Sequence, residues 1–526
     1  MANKRSRSAA GVMVKPGVPA LLVLPVLLLG IGCAVKQHGS DGAEYFPGRA
    51  WRTSTPEEQG IDSTPLLRML EDIRNNGVAI DGIVIVRHGH LVFESYMAPY
   101  GADTVHNLKS SSKSILSALV GIALRERVLD GLDQRVSEVF PEYFTAVDDP
   151  RKKDMTIRHL LTMTAGIEWK ELSPEADRLW QSNDWVGAAI GLPLTDAPGE
   201  RFTYSTALTH LASAAIARRS GMSTRAFAEK YLFDPMGIRA GLWRRDPQGI
   251  YWGGADLFLT PRDMARFGYL YLKNGVWNGR QVVPQEWVTE STSAQVKTEG
   301  WGGIDDYGYW WWIDPVAFVA VGLGGQVVAV VPDQDLVVVF SGAVPEAVPF
   351  SLFRKYIAPA IRPAMLPPNL ASQSAISVLE RELEKPPPLR NPPIPEGANP
   401  ISGRSFRLEP NPFGFTGLRI RCANARSCSM VLETPSQKTV LPVGLDGRYR
   451  VSSPTNFGDV PVACKGVWID PDSVNLTFLL SLVQVGEPVH MEARFTFDES
   501  RVSITVVRKT FEVTTMRFGG TEAPDP

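Results

Sequence analysis

From Trp51 onward, apolar and polar residues alternate in blocks that predict regular elements. Ile83-Val84-Ile85-Val86, a turn at His88-Gly89-His90 and then Leu91-Val92-Phe93 predict a strand, a tight turn and a second strand. In residues 111–125, Ile115, Leu116, Leu119, Val120, Ala123 and Leu124 recur at helical spacing. Residues 211–219 and 224–232 predict two more helices, with Gly221 as the stop between them. Two apolar runs, 327–331 and 336–340, flank Pro332-Asp333-Gln334-Asp335 and predict a hairpin. The mixture predicts an α/β (α+β) unit, an antiparallel sheet with helices packed on it.

The pattern changes after about Ala364. Pro367-Pro368, Pro386-Pro387-Pro388 and Pro392-Pro393 punctuate residues 365–400 and predict an extended interdomain linker, with room for a short helix at 374–385. Beyond it, short strand signals alternate with turns: Leu418-Arg419-Ile420, Met430-Val431-Leu432, the stretch 443–447, Phe495-Thr496-Phe497 and 502–507. Helical periodicity is nearly absent there, so residues 401–519 predict an all-β, barrel-like unit, with 520–526 as a tail. Residues 51–364 form the first unit and 34–50 a tether.

The N-terminus adds a location. Lys4, Arg5, Arg7 and Lys15 precede an almost wholly apolar run from Val18 to Gly32, too short for a comfortable membrane span. That order is the order of a secretion signal, taken as residues 1–33. Leu29-Gly30-Ile31-Gly32-Cys33 resembles a lipoprotein cleavage box, with Gly30 where the box usually has leucine. The resemblance implies lipidation of Cys33 and a bacterial cell-envelope location on the periplasmic side, held to the membrane by the lipid; an uncleaved anchor or a buried thiol is the other reading. In an oxidising compartment, Cys422, Cys428 and Cys464 allow one bridge and leave one thiol, and the sequence does not choose the pair. With 54 Lys and Arg against 56 Asp and Glu, and no basic stripe, nothing in the charge calls for nucleic acid. No CxxC or paired-histidine spacing calls for a metal.

The candidate chemistry lies at the mouth of the helix predicted over 111–125. Ser110-Ser111-Ser112-Lys113 has the form S-x-x-K, and three positions on a helix bring both side chains to one side. The helix N-terminus offers free N–H groups beside the serine. A confined lysine loses its proton more readily and can then accept the serine's. The bare pattern is also what an N-capping serine on a buried helix would give.

Context decides between them. The run 107–114 with Leu119-Val120-Gly121-Ile122-Ala123 resembles the nucleophile segment of the penicillin-recognising serine hydrolases: class C β-lactamases, D-alanyl-D-alanine carboxypeptidases, esterases and 6-aminohexanoate-dimer hydrolases. In the same order, residues 155–167 look like the family's TIRHLLTHTSG segment, 198–205 like its tyrosine loop, 253–268 like its late helix entrance, and Gly322-Leu323-Gly324-Gly325-Gln326 stands where its third motif belongs. The resemblance spans about residues 51–364 and implies a β-lactamase/transpeptidase-like fold that needs no metal or organic cofactor. It implies Ser110 as the acylated nucleophile, Lys113 as a proton carrier and Tyr204 as a base or relay. It also implies an oxyanion site built from the Ser110 N–H and a second donor after Gly324-Gly325, at Gln326. The C-terminal unit resembles, more loosely, the lipocalin-like domains appended to some members.

Two positions depart from the family pattern. Tyr204-Ser205-Thr206 replaces the usual Tyr-x-Asn, and Leu323 stands where a lysine or histidine usually opens the third motif. Without that cation a substrate carboxylate has no partner there. Ester or amide hydrolysis of a more apolar small molecule is therefore the expected activity. A noncatalytic envelope binding protein and a true β-lactamase are its rivals. Trp310-Trp311-Trp312 reads equally as pocket lining or as core, and Asp184-Trp185 is assigned no chemistry.

Overall fold

The computed structural model describes residues 45–523 apart from 49, 146, 301–302, 389–400, 425, 456–457, 470–475, 499 and 510–512. The expected secretion signal, Cys33 and most of the tether lie outside the described residues.

The first unit is built on an eight-stranded antiparallel sheet. Its strands run in the order His90–Tyr96, Ile80–Arg87, Leu336–Gly342, Gln326–Val331, Ala317–Gly322, Trp312–Asp314, Asp306–Tyr307 and Val296–Lys297. The central strands Ile80–Arg87 and Leu336–Gly342 are buried along their whole length. Unbroken Val and Ile runs suit strands covered on both faces. One cover is the helix Pro261–Leu272, whose Gly268 lies against Val337 and Val328; the helix Ser63–Asn75 buries Leu66, Met69, Leu70 and Ile73 in the same core. The hairpin expected from Val84 and Phe93 is present, with left-handed His88 and Gly89 at its turn. The second hairpin turns at Pro332–Gln334, with Asp335 left-handed.

The helices match the periodicity and run longer where packing extends them. The helix predicted over 111–125 is Ser112–Arg125, and the one predicted over 211–219 is Thr206–Ser220, ended by left-handed Gly221. Both are buried through most of their length, and so sit inside the unit instead of on its surface.

Three expected boundaries shift. The segment read as a linker holds a helix, Leu370–Glu384, whose Ile376 and Leu379 are buried in the first core. The end of the tether packs there too: the Tyr269 hydroxyl donates to Tyr45 O at 2.9 Å, Arg266 donates to Gly48 O at 2.8 Å, and Phe46 is buried against Tyr269 and Trp277. Apolar side chains outside the sheet-and-helix pattern were enough to recruit both segments. Of the residues read as a tail, 520–523 belong to a strand, Val513–Ala523, in which Ala523 pairs with Ser405.

That strand helps close the second unit. Ten strands form one sheet, and a parallel pairing at Gly444 and Lys465 joins Lys438–Gly444 to Gly458–Ile469, so nine of the ten close into a barrel. The tenth, Arg450–Thr455, hangs on Gly458–Ile469 outside the ring. Alternate residues such as Phe406, Ile420, Met430, Val462, Trp468, Phe478, Phe495 and Ile504 fill the interior. The cysteine pairing left open by the sequence is Cys422–Cys428, across a hairpin, with Cys464 free and buried in the barrel core.

Candidate active site

The site is assembled from the mouths of two buried helices. Ahead of Ser112–Arg125, Lys109–Ser111 form a 3₁₀ turn. Lys109 is left-handed there, with φ 47°, and the Asn107 side-chain oxygen accepts its N–H at 2.9 Å. That turn presents Ser110 at the helix entrance. Lys113 lies one turn along, and its Nζ sits 2.9 Å from Ser110 Oγ.

Lys113 Nζ has two further partners, Thr206 Oγ1 and the Gly254 carbonyl, each at 3.0 Å. All three partners are neutral oxygen atoms. The lysine is 1% exposed, and burial lowers its pKa to about 8 although the Glu171 carboxylate opposes the shift. Gly254 can bring its carbonyl this close only without a side chain, since a Cβ there would stand 2.3 Å from Thr209 Oγ1 and 3.2 Å from Lys113 Nζ. Thr206 is the first residue of its helix and stands where the family resemblance expects asparagine; its hydroxyl takes one of the lysine's bonds. Glu171 accepts the N–H of Thr206 at 2.5 Å and so caps the helix from 35 residues upstream.

Tyr204 completes the cluster. Its phenol is hydrogen-bonded with Ser110, and its ring lies under Lys113 Nζ, 5.0 Å from the centroid. Trp312 stacks on the tyrosine ring with centroids 5.8 Å apart. Burial holds the phenol well above its ordinary range; the Ser110 bond pulls it down, and the Glu171 and Glu346 carboxylates push it up. At neutral pH the tyrosine is therefore a phenol, not a phenolate. Ser110, Lys113 and Tyr204, separated by up to 94 positions in the chain, meet at one point.

The third-motif residues lie beside the nucleophile turn. A Cβ on Gly322 would stand 2.1 Å from Leu108 O and 3.1 Å from Ser111 N, so the hairpin end is pressed against the residues that flank Ser110. Gln326 opens the strand Gln326–Val331, and its carbonyl accepts the Ser111 hydroxyl at 2.8 Å. Its side chain is buried and donates to Gly342 O at 2.7 Å, locking the residue in the sheet. Gly324 and Gly325 are both left-handed, with φ 83° and 84°.

The tryptophan run divides between its two readings. Trp310 and Trp311 are core: the indole of Trp310 donates to Leu160 O at 3.0 Å, and Trp311 stacks on Phe267. Trp312 touches the site tyrosine. Asp184 caps a short helix by accepting the Gly187 N–H at 2.8 Å, and His159 closes a capping box with Thr156. Sequence reasoning missed Glu171 and the bonding roles of Thr206 and Gly254, because a carboxylate in a loop or a carbonyl aimed across the fold leaves no periodic trace.

Comparison with known proteins gives a family for the first unit. Residues 68–342, just over half of the 526, match the family described as Beta-lactamase. A 6-aminohexanoate-dimer hydrolase of Paenarthrobacter ureafaciens is 27% identical over 252 residues, 45% of this chain and 63% of that protein. Esterase EstB of Burkholderia gladioli is 28% identical over 177 residues, 30% of this chain and 45% of that protein. The chain thus spans less than two thirds of the length of either relative. Among solved structures, a penicillin-binding protein homolog from Caulobacter crescentus is similar with a TM-score of 0.46 and 17% identity, over 55% of this chain and 93% of that one. With the family pattern covering the sheet, both site helices and the cluster at their mouths, the chain belongs to the β-lactamase family.

Proposed function

We propose that this protein is a serine hydrolase that cleaves an ester or amide of a small, largely apolar molecule through an acyl-enzyme on Ser110. The observation that carries this reading is the convergence of Lys113 Nζ and the Tyr204 phenol on one serine hydroxyl. A neutral lysine amine has two hydrogens and one lone pair. The Gly254 carbonyl and Thr206 hydroxyl engage the hydrogens, leaving the lone pair for the Ser110 proton. Burial keeps a large fraction of Lys113 neutral near its lowered pKa, so it can act as general base.

Ser110 Oγ attacks the carbonyl carbon while its proton passes to Lys113. The oxyanion is held by the Ser110 N–H and by the donor following Gly324-Gly325. Collapse of the tetrahedral adduct expels the leaving group, which takes a proton relayed through the Tyr204 phenol. Water then attacks the acyl-enzyme by the reverse of the same proton path. Leu323 and Thr206 favour an uncharged substrate over one anchored by a carboxylate. The expected lipid anchor on Cys33 would place this activity at the bacterial envelope.

The test is intact-mass analysis after incubation with a fluorophosphonate, a p-nitrophenyl ester series and nitrocefin. A single adduct on Ser110, lost in Ser110→Ala, with ester turnover and little nitrocefin turnover, is the expected result. Labelling at another serine overturns the assignment. Nitrocefin turnover exceeding ester turnover makes the protein a β-lactamase, and no adduct with any probe makes it a binding protein.

A further inference from the structure

The barrel reaches into the site just described. Its strands Leu476–Gln484 and His490–Asp498 are joined by residues 485–489, and this tip lies against the nucleophile turn. The Asn107 N–H donates to Gly486 O at 2.7 Å. Gly486 is left-handed, and a Cβ there would stand 2.3 Å from Val105 O, so only glycine lets the tip press this close.

Glu487 then enters a charged seam between the units. It is 7% exposed, and its carboxylate accepts from Asn107 Nδ2 at 3.0 Å, Lys109 Nζ at 2.8 Å and Arg244 Nη1 at 2.8 Å. Asp256 shares these partners: Asn107 Nδ2 at 2.7 Å, Lys109 at 3.3 Å and Arg244 at 2.9 Å. Arg244 also binds Asp459 of the barrel, Nε to Oδ2 at 3.0 Å. Two of the residues gripped by Glu487, Asn107 and Lys109, are those that set the turn aiming Ser110. The next tip residue, Pro488, braces the opposite wall: a Cβ on Gly324 would stand 2.2 Å from its Cβ. One loop of the barrel therefore touches both the turn carrying the nucleophile and the turn preceding the second oxyanion donor.

We propose that Glu487 is a positioning residue for the hydrolysis proposed above, a reading on which this inference rests: it fixes the Asn107–Lys109 turn and thereby the direction of Ser110, while Pro488 braces the Gly324-Gly325 turn. The barrel is thus part of the catalytic apparatus and no mere appendage. A charged side chain buried at a seam is costly unless every lone pair is engaged, and Glu487 meets that condition only when the two units are docked. The catalytic geometry is therefore tied to docking.

The experiment uses the full chain. Glu487→Ala, the near-isosteric Glu487→Gln and Pro488→Ala are compared with the parent for the rate of fluorophosphonate labelling, for kcat and KM on p-nitrophenyl butyrate, and for thermal melting. Glu522→Gln, which breaks the Arg404 ion pair elsewhere on the barrel, is the control for general loosening. Glu487→Ala is expected to lower kcat and labelling rate about ten- to a hundredfold, as misplacement of a reacting group does, with KM held within about twofold. Glu487→Gln should retain part of the loss-sensitive rate, Pro488→Ala should fall between it and the parent, and Glu522→Gln should match the parent. If Glu487→Ala is unstable, the Gln variant decides. Parent-like kcat in folded Glu487 variants, or an equal loss in Glu522→Gln, overturns the inference. Failure of the parent itself to label at Ser110 overturns the proposed function instead, so the two failures are distinct.

Discussion

Two lysines flank Ser110, and the protein handles them in opposite ways. Lys109 faces the seam between the units, partly exposed, with the carboxylates of Glu487 and Asp256 within ion-pair distance. Lys113 faces the Ser110–Tyr204 cluster, fully buried among neutral oxygen atoms, and its pKa falls to about 8. In the seam, burial would raise the Asp256 carboxyl, but the Lys109 and Arg244 cations and the hydrogen bond from the Asn107 amide outweigh it and hold the group below the usual carboxylate range. In the cluster around Ser110, desolvation wins at both Lys113 and Tyr204. Pairing makes a charge permanent and structural, whereas burial without pairing makes it labile and suits it to moving a proton.

The largest effect should come from exchanging these treatments. Lys113→Met removes the proposed base and should cut kcat/KM about 10³-fold, within the range of general-base loss, while Lys109→Met should cost about tenfold, equivalent to one charge-assisted bond of ~1.5 kcal/mol. Steady-state kinetics on a p-nitrophenyl ester measure both, and equal losses would erase the distinction drawn here. The pH profile tests the same contrast. Because Lys113 must be neutral and its folded pKa is lowered, kcat/KM should rise with pH through a limb near 8 and then level, and a profile flat from pH 6 to 9 would exclude it as the base. Glu171→Gln sharpens this further. Its carboxylate raises the Lys113 pKa, so its neutralisation should move the limb toward lower pH, with only a small change in the plateau rate. The smallest effect belongs to Cys422–Cys428. The bridge closes a short hairpin whose cysteines take no part in the seam ion pairs, so Cys422→Ser with Cys428→Ser should lower the melting temperature by only a few degrees and leave the labelling rate unchanged, as the small entropy of a short closed loop implies.

The sequence carried the local parts of this design and little of the long-range part. The hairpin at His88-Gly89, the helix behind Ser110 and the apolar runs around Pro332 were legible because period and turn chemistry are written in neighbouring residues. Ser110 and Lys113 were legible because one helical turn separates them, and Tyr204 because its motif resembles that of a known family. Glu171, Gly254 and Glu487 were not. Each acts through a contact across many positions, and no spacing rule foretells such a contact. Residues 520–523 of the expected tail differ for a similar reason: their strand takes a partner from Ser405–Leu408, at the other end of the barrel's sequence.

Closure of the barrel has a consequence for how copies of this chain meet one another. In a ring most of the ladder is spent between neighbours, and among the described residues the border that remains lies at the closing seam, where Gly444 pairs with Lys465. The strand that escapes closure, Arg450–Thr455, has its register broken at Pro454, a residue that cannot donate a rung. Crowding such molecules together, in solution or on a surface, gives fibre growth a short and interrupted template on this face of the protein.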